Sequence, residues 1–255
     1  MRFDLVTLFP DLFDSFLRSS LIGKALSGNV LEIRLVNIRD FTSDRHRTAD
    51  DRPYGGGPGM VLMPEPLARA IEFARGNEPE QAESRTALLS PAGRPFDQSK
   101  AKEYAALDHL ILVCGRYEGV DERICQTLID EEISLGDFIL SGGEVPTMAV
   151  IEAVARLLPG FLGAAASVNE ETFSDGLLEY PQYTRPDSFR GLHVPEVLLS
   201  GNHRAINTWR RRMSLRRTYE RRPGLLAEAK LTDTDRKFLA KLDSEQGSGA
   251  GNKKS

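Results

Sequence analysis

Cysteine is nearly absent from this 255-residue chain: Cys114 and Cys125 are the only two, one in an apolar strand-like run and one in a helix-like run. That leaves no disulfide framework and points to free thiols in a reducing, cytoplasmic compartment. Histidine is scarce as well, and four scattered histidines with two cysteines make no zinc-ligand spacing, so no metal ligand is assigned. Long hydrophobic runs are missing; the longest, 110–114, is far too short to span a bilayer. Asp4 and Pro10 interrupt the apolar stretch that a signal peptide needs. No membrane partner is expected. GxGxxG and GxxxxGK(S/T) are both absent, so neither a dinucleotide fold nor a P-loop is signalled.

Charge and glycine crowd instead into one stretch. Residues 44–60 (DRHRTADDRPYGGGPGM) hold three arginines, three aspartates, a histidine and four glycines. No core absorbs that many charges without full pairing, and Gly55, Gly56, Gly57 and Gly59 let backbone N–H groups approach a ligand closely. A loop this long without turn periodicity is uncommon in a compact domain unless it binds something. The net charge of −4 hides a second asymmetry: residues 1–180 carry 17 Lys and Arg against 29 Asp and Glu, whereas residues 181–243 carry 14 against 7. The last third is a basic module on an acidic body, which suggests a nucleic acid or other polyanion as its partner.

Short apolar runs alternating with amphipathic segments mark the first 160 or so residues as α/β. Strands are expected at 3–9, 30–37, 86–90, 109–114 and 138–140, the last three buried. Helices are expected from Pro10 onward, at 66–74, 99–106 and 121–130, and at 145–158 with Val145, Met148, Ile151, Val154, Ala155 and Leu158 on one face. Residues 163–180 have little periodicity and read as a flexible linker. Beyond them a helix is expected at 203–220 and short closing helices at 225–242, with a Gly/Ser-rich disordered tail at 244–255. The domain reading is therefore 1–162, a linker 163–180, a basic helical module 181–243 and the tail.

Three of the apolar runs feed straight into glycine-bearing loops: 88–94 (LLSPAGR), 113–119 (VCGRYEG) and 136–144 (GDFILSGGE). In an α/β sheet, ligands bind where successive strand ends converge. Together the three loops describe one small-molecule site, although each alone reads as an ordinary strand-to-helix turn. With Arg45-His46-Arg47-Thr48, the run 51–60 (DRPYGGGPGM), Tyr183-Thr184-Arg185-Pro186 and 198–203 (LLSGNH), these motifs resemble, in order and spacing, the bacterial tRNA (guanine-N1)-methyltransferases of the TrmD family. The resemblance runs from residue 3 to about 226, with a gap around 76–84.

That resemblance implies an α/β SPOUT-type domain with a mostly parallel sheet and a deep trefoil knot, plus a small α-helical C-terminal domain. It implies S-adenosylmethionine as methyl donor, a homodimer with active sites at the interface, and the guanosine at tRNA position 37, in the anticodon stem-loop, as acceptor. Cofactor-binding positions carry over to Leu88, Leu89, Ser90 and Pro91; to Gly115, Arg116, Tyr117 and Glu118; and to Leu135, Gly136, Asp137, Phe138, Ile139, Leu140, Gly142, Gly143 and Pro146. Glu118 is also the position the family links to magnesium, with a solvated carboxylate after a strand as its alternative. Substrate-binding positions carry over to Arg45, His46, Asp50, Arg52, Gly59, Tyr183, Arg185, Ser200, His203 and Arg210. His46 has a structural hydrogen-bonding role as its alternative.

Guanine N1 loses a proton as the methyl arrives and charge builds on O6, so a base and a cation are needed. Family correspondence puts the cation at Arg156, which by pattern alone is a surface arginine. The base falls in 170–173 (EETF), where the family has an aspartate and this chain has Glu171, a carboxylate one methylene longer. The arginines of 204–222, interleaved with Trp209 and Tyr219, offer guanidinium forks to phosphates and flat faces to unstacked bases. The reading is an S-adenosylmethionine-dependent enzyme forming N1-methylguanosine at position 37. Its alternatives are a non-catalytic RNA-binding protein of the same fold and an RNA methyltransferase acting on another nucleotide.

Overall fold

The computed structural model describes residues 1–76, 83–162 and 176–249. The chain forms two compact units, Met1–Ala165 and Ala166–Ser255. The first holds β1 (Arg2–Thr7), β2 (Glu32–Asn37), β3 (Asp50–Asp51), β4 (Val61–Leu62), β5 (Ser84–Pro95), β6 (His109–Cys114) and β7 (Glu131–Ser134). Its helices are α1 (Asp14–Arg18), α2 (Ser20–Ser27), α3 (Pro64–Arg75), α4 (Gln98–Ala105), α5 (Glu122–Leu128) and α6 (Glu144–Ala155).

The central sheet runs β2-β1-β6-β5-β7 with every neighbouring pair parallel. A parallel sheet needs cover on both faces, and β6 shows why its sequence allows it. All six β6 residues are buried. Leu110, Leu112 and Cys114 join one apolar cluster with Phe13, Ile22, Tyr104, Val150 and Val154, whereas Ile111 and Val113 join another with Leu67, Ile71 and Ile124. Helix α3 illustrates local coding: Pro64 sits at its start, Glu65 in its first turn, and Leu67, Ala70, Ile71 and Ala74 bury one stripe. Asp97 and Asp121 cap α4 and α5, accepting from the N–H of Lys100 at 2.9 Å and Arg123 at 3.0 Å.

Several expectations are corrected. Residues 138–140 form no strand: Phe138, Ile139 and Leu140 are exposed, Ile139 by 81%. The strand is β7, hidden in the sequence because its first two residues are glutamates. On this sheet edge Glu131 is paired, since Lys100 reaches it at 3.0 Å and Arg85 at 3.2 Å. In α6 the buried face is Glu144, Thr147, Val150, Ile151, Val154 and Ala155, while Val145 is exposed. The helix is apolar almost all round, so periodicity could not orient it. The segment after Pro10 is a 3-10 turn, Pro10–Phe13, before α1 begins.

The second unit contains β8 (Ser188–Phe189) paired antiparallel with β9 (Leu192–His193), then α7 (Glu196–Leu199), α8 (His203–Arg221), a 3-10 segment Pro223–Ala227 and α9 (Asp233–Gly249). Asn202 caps α8 by accepting from Ala205 N–H at 3.1 Å. Helix α9 extends past the 244 boundary assigned to a disordered tail; Ser244 Oγ donates to Lys241 O and Lys241 pairs with Glu245 within the helix. The rest of that tail and most of the 163–180 linker lie outside the described residues. No helix among the described residues is long and apolar enough to cross a membrane.

Candidate active site

Because all five sheet strands run the same way, the C-terminal ends of β5, β6 and β7 open on one side. Their loops enclose a cavity of about 470 Å³. Every residue expected to hold the cofactor lines it, except Asp137. Glu118, Tyr117 and Arg116 come from the loop after β6, Leu135 to Gly143 from the loop after β7, and Leu88 to Ala92 from an excursion within β5.

Close backbone approach builds this cradle. Gly143 N–H donates to Gly115 O at 2.8 Å, and a Cβ at Gly143 would fall 2.7 Å from Cys114 Cα. A Cβ at Gly142 would fall 2.2 Å from Arg116 Nε. Both glycines are thus fixed by packing of the third loop onto the second. The lining is part apolar, from Leu88, Leu89, Pro91, Phe138 and Leu140, and part polar, from Ser90, Arg116, Glu118 and Ser134 among glycine loops, a mixture suited to an adenine, a ribose and an amino-acid chain.

The glycine-rich loop docks beside the cavity. Leu62 N–H donates to Gly119 O at 3.0 Å, and Glu118 N–H to Met60 O at 3.0 Å. Gly59 lies under Glu118, since a Cβ there would meet Glu118 Oε1 at 2.4 Å. Asp50 pairs with Leu62 in the β3–β4 hairpin. Asp44 organises the first part of the loop, accepting from Thr48 Oγ1, Thr48 N–H and His46 N–H; Thr48's bonds, foremost, hold its carboxyl below the usual range. Arg45, His46 and Arg52 remain exposed, and Tyr54 to Gly57 project into solvent.

Arg156 is half-buried at the C-cap of α6, whose N-terminal end touches the cavity. Twelve residues of helix separate the two ends by about 18 Å. Arg156 and the cavity of the same chain are therefore not brought together. Glu171 lies outside the described residues.

In the second unit, Tyr183 packs on Trp209 at 6.2 Å between ring centroids, and Arg210 stacks 4.8 Å over the Tyr180 ring. Arg185 precedes a cis proline, and His203 opens α8. Ser200 is taken up locally, donating to Val197 O at 2.7 Å and accepting from Asn202 N–H. Two sets stand out among the arginines of α8. Arg211 is structural, bonded to Asp235 at 3.0 Å and Lys230 O at 2.8 Å, and Arg217 donates to Glu179 O. Arg204, Arg212 and Arg216 line a groove with Lys241, Trp209 and Phe238, with no acid among its lining residues.

Sequence reasoning missed Glu144 and Thr7, which meet behind the cavity at 2.8 Å. The available signal was an acid opening an apolar helix, since such a group needs a partner. It also left open the cysteines. Cys125 lines the cavity, but burial, then Glu132 and Glu122, push its thiol up to about 11, and burial foremost pushes Cys114 up further. Neither is a thiolate at neutral pH. Iodoacetamide should modify native Cys125 only slowly at pH 8, with a rate still rising through pH 10, and Cys114 only after unfolding; rapid labelling at pH 7 would contradict this.

Residues 1–228 match the family model described as tRNA (Guanine-1)-methyltransferase TrmD. The chain is 53% identical over 248 residues to a tRNA (guanine-N(1)-)-methyltransferase of Moorella thermoacetica, covering 97% of this chain and 98% of that one. It is 52% identical to the protein of the same name from Geotalea uraniireducens, over 97% of this chain and 99% of the relative. A third of that name, from Geobacillus kaustophilus, is 50% identical over 96% of this chain and its own full length.

Proposed function

The chain belongs to the tRNA (guanine-1)-methyltransferase TrmD family, and we propose that it methylates N1 of the guanosine at position 37, beside the anticodon, using S-adenosylmethionine held in the cavity of its first unit. That it is a tRNA (guanine-N1)-methyltransferase follows from relatives at about half identity over nearly the whole chain. The observation that carries the cofactor assignment is the convergence of three loops on one cavity of suitable lining. The Gly143–Gly115 contact, where the third loop is pressed against the second, supports a SPOUT-type knot at this point.

The bound cofactor supplies an electrophilic methyl group on a sulfonium. The protein's residues do the rest. Loop backbone at Gly115, Leu135 and Leu140 orients the donor, and Glu171 takes the N1 proton. Arg156 neutralises the charge that develops on guanine O6. The separation of Arg156 from the cavity along α6 supports a site completed by a second copy, and so does the apolar surface of Ile139, Phe138 and Val145 beside the cavity mouth. A cytoplasmic homodimer is the assembly we infer.

The Arg204, Arg212 and Arg216 groove would meet phosphates of the anticodon stem-loop, and Arg45, His46 and Arg52 the target nucleotide. Magnesium has no step in this reading: Glu118 is one exposed carboxylate, and among the described residues no three His, Cys, Asp or Glu side chains gather as a metal site. The test is methyl transfer from labelled S-adenosylmethionine to a tRNA transcript with guanosines at 36 and 37, beside one with adenosine at 37. Label only in the first, mapped to N1, is expected. Label in both would overturn the position, and tight RNA binding without label in either would favour a non-catalytic RNA-binding protein.

A further inference from the structure

We infer that Glu144 is a positioning residue for the cofactor, acting through Arg116. Its carboxylate is buried at the first residue of α6, where the helix N-terminus favours negative charge. Oε1 accepts from Thr7 Oγ1 at 2.8 Å and Oε2 accepts from Arg116 Nε at 2.9 Å. Thr7 Oγ1 also accepts from Phe9 N–H at 2.9 Å, so its one proton is committed to Glu144.

Arg116, held this way, donates through Nη1 to Ser141 O at 3.2 Å and lies 4.5 Å above the Phe9 ring. Gly142 provides the space for the guanidinium, since any Cβ there would strike it. The path Thr7–Glu144–Arg116–Ser141 therefore ties the end of β1, the start of α6 and the loops after β6 and β7 into one frame around the cavity. Neither Glu144 nor Thr7 lines the cavity, so they act on its shape rather than on the ligand. Ionised pairs hydrogen-bonded in low dielectric are the strong kind, which suits them to fix loop spacing.

Glu144→Gln tests this while keeping size. With its oxygen on Thr7, the amide turns N–H toward Arg116 Nε–H; flipped, it leaves the Thr7 hydroxyl proton unpaired. Binding of S-adenosylmethionine alone to the full-length protein, followed by calorimetry, should weaken about 10- to 100-fold. The cofactor KM should rise in parallel, with kcat at saturation within about threefold. In an Arg116→Gln background, Glu144→Gln should add little, because both substitutions break one frame. Thr7→Val should weaken binding in the same direction and Thr7→Ser should restore it, which keeps the test open should Glu144→Gln fail to fold.

Unchanged affinity in folded Glu144→Gln would overturn the inference. So would additive losses in the double variant, or a lowered fraction of active protein at unchanged affinity, which is what a merely structural role gives. The inference rests on the cavity being the cofactor site: wild-type protein that binds no S-adenosylmethionine would overturn that reading itself, a result distinguishable from wild type and variant binding alike.

Discussion

Glu171→Gln is expected to lower kcat by about 10²- to 10⁴-fold, the range for losing a positioned general base, while leaving affinities for S-adenosylmethionine and tRNA within about threefold. The amide keeps the size of the side chain and its hydrogen-bonding reach but cannot take the N1 proton. Because the base is needed only as the methyl arrives, the loss belongs in kcat rather than in KM. Glu171→Asp is the sharper comparison. It installs the aspartate that the family resemblance places here, a carboxylate one methylene shorter than the one this chain carries. A displacement of about an ångström is enough to reduce turnover by up to about a hundredfold. Full turnover by Glu171→Gln would move the base elsewhere, to Asp50, Asp51 or Asp175. Of these, Asp51 already accepts from Arg52 N–H at 2.7 Å within its own loop, and Asp50 sits half-buried in the β3–β4 hairpin. Single-turnover methyl transfer by Asp50→Asn, Asp51→Asn and Asp175→Asn would decide among them.

What the sequence could reveal depended on how local the physical cause is. β6 was legible almost to the residue, because the five consecutive apolar side chains after His109 suit a strand buried on both faces. β7 was not, since its leading Glu131 answers partners from α4 and β5 that no local pattern announces. The Phe138 to Leu140 run misled for the opposite reason. Its hydrophobicity serves a surface at the cavity mouth, and apolar content alone does not distinguish that from a core strand. The three glycine loops were legible as one site because strand-end convergence is a rule of parallel sheets. That Gly142 makes room for Arg116, and that Glu144 holds Arg116 in place, are contacts across 26 and 28 positions of chain that only the folded structure supplies. The arginines of α8 were likewise legible as a basic set, but not as two sets, because Asp235 and Glu179, which claim Arg211 and Arg217, come from separate segments.

Asp4→Asn is expected to destabilise the first unit by about 3–5 kcal/mol, as when one partner of a buried charge cluster is removed, lowering Tm by about 6 °C or more. Asp4 is fully buried in β1 and accepts from Arg34 Nε at 2.7 Å, Arg34 Nη2 at 2.8 Å, Arg2 Nη2 at 2.7 Å and His109 Nε2 at 2.9 Å. Through it Arg34 also reaches the last carbonyls of α3, at Ala74 O and Phe73 O, so one carboxylate joins β1, β2, β6 and a helix C-terminus. Arg2 and Arg34 stay about a third exposed and can fall back on water, which places the loss at the lower end of that range. Burial alone would push the Asp4 carboxyl up, but the His109 hydrogen bond and the Arg34 and Arg2 guanidiniums outweigh it and hold the group below its ordinary 3.8. A depressed carboxyl stabilises the fold fully above that ordinary value, and the contribution disappears as pH falls through the folded one. The gap in Tm between wild type and Asp4→Asn should therefore be constant from about pH 5 to 8 and shrink below about pH 4. Asp4 lies toward the strand starts, away from the cavity at the strand ends, so kcat and both KM values at 20 °C or so should match wild type. A Tm within about 2 °C of wild type would show that the guanidiniums are content in water and that Asp4 is dispensable to the sheet. A variant equally stable but impaired in cofactor binding would mean instead that the two ends of the sheet are coupled.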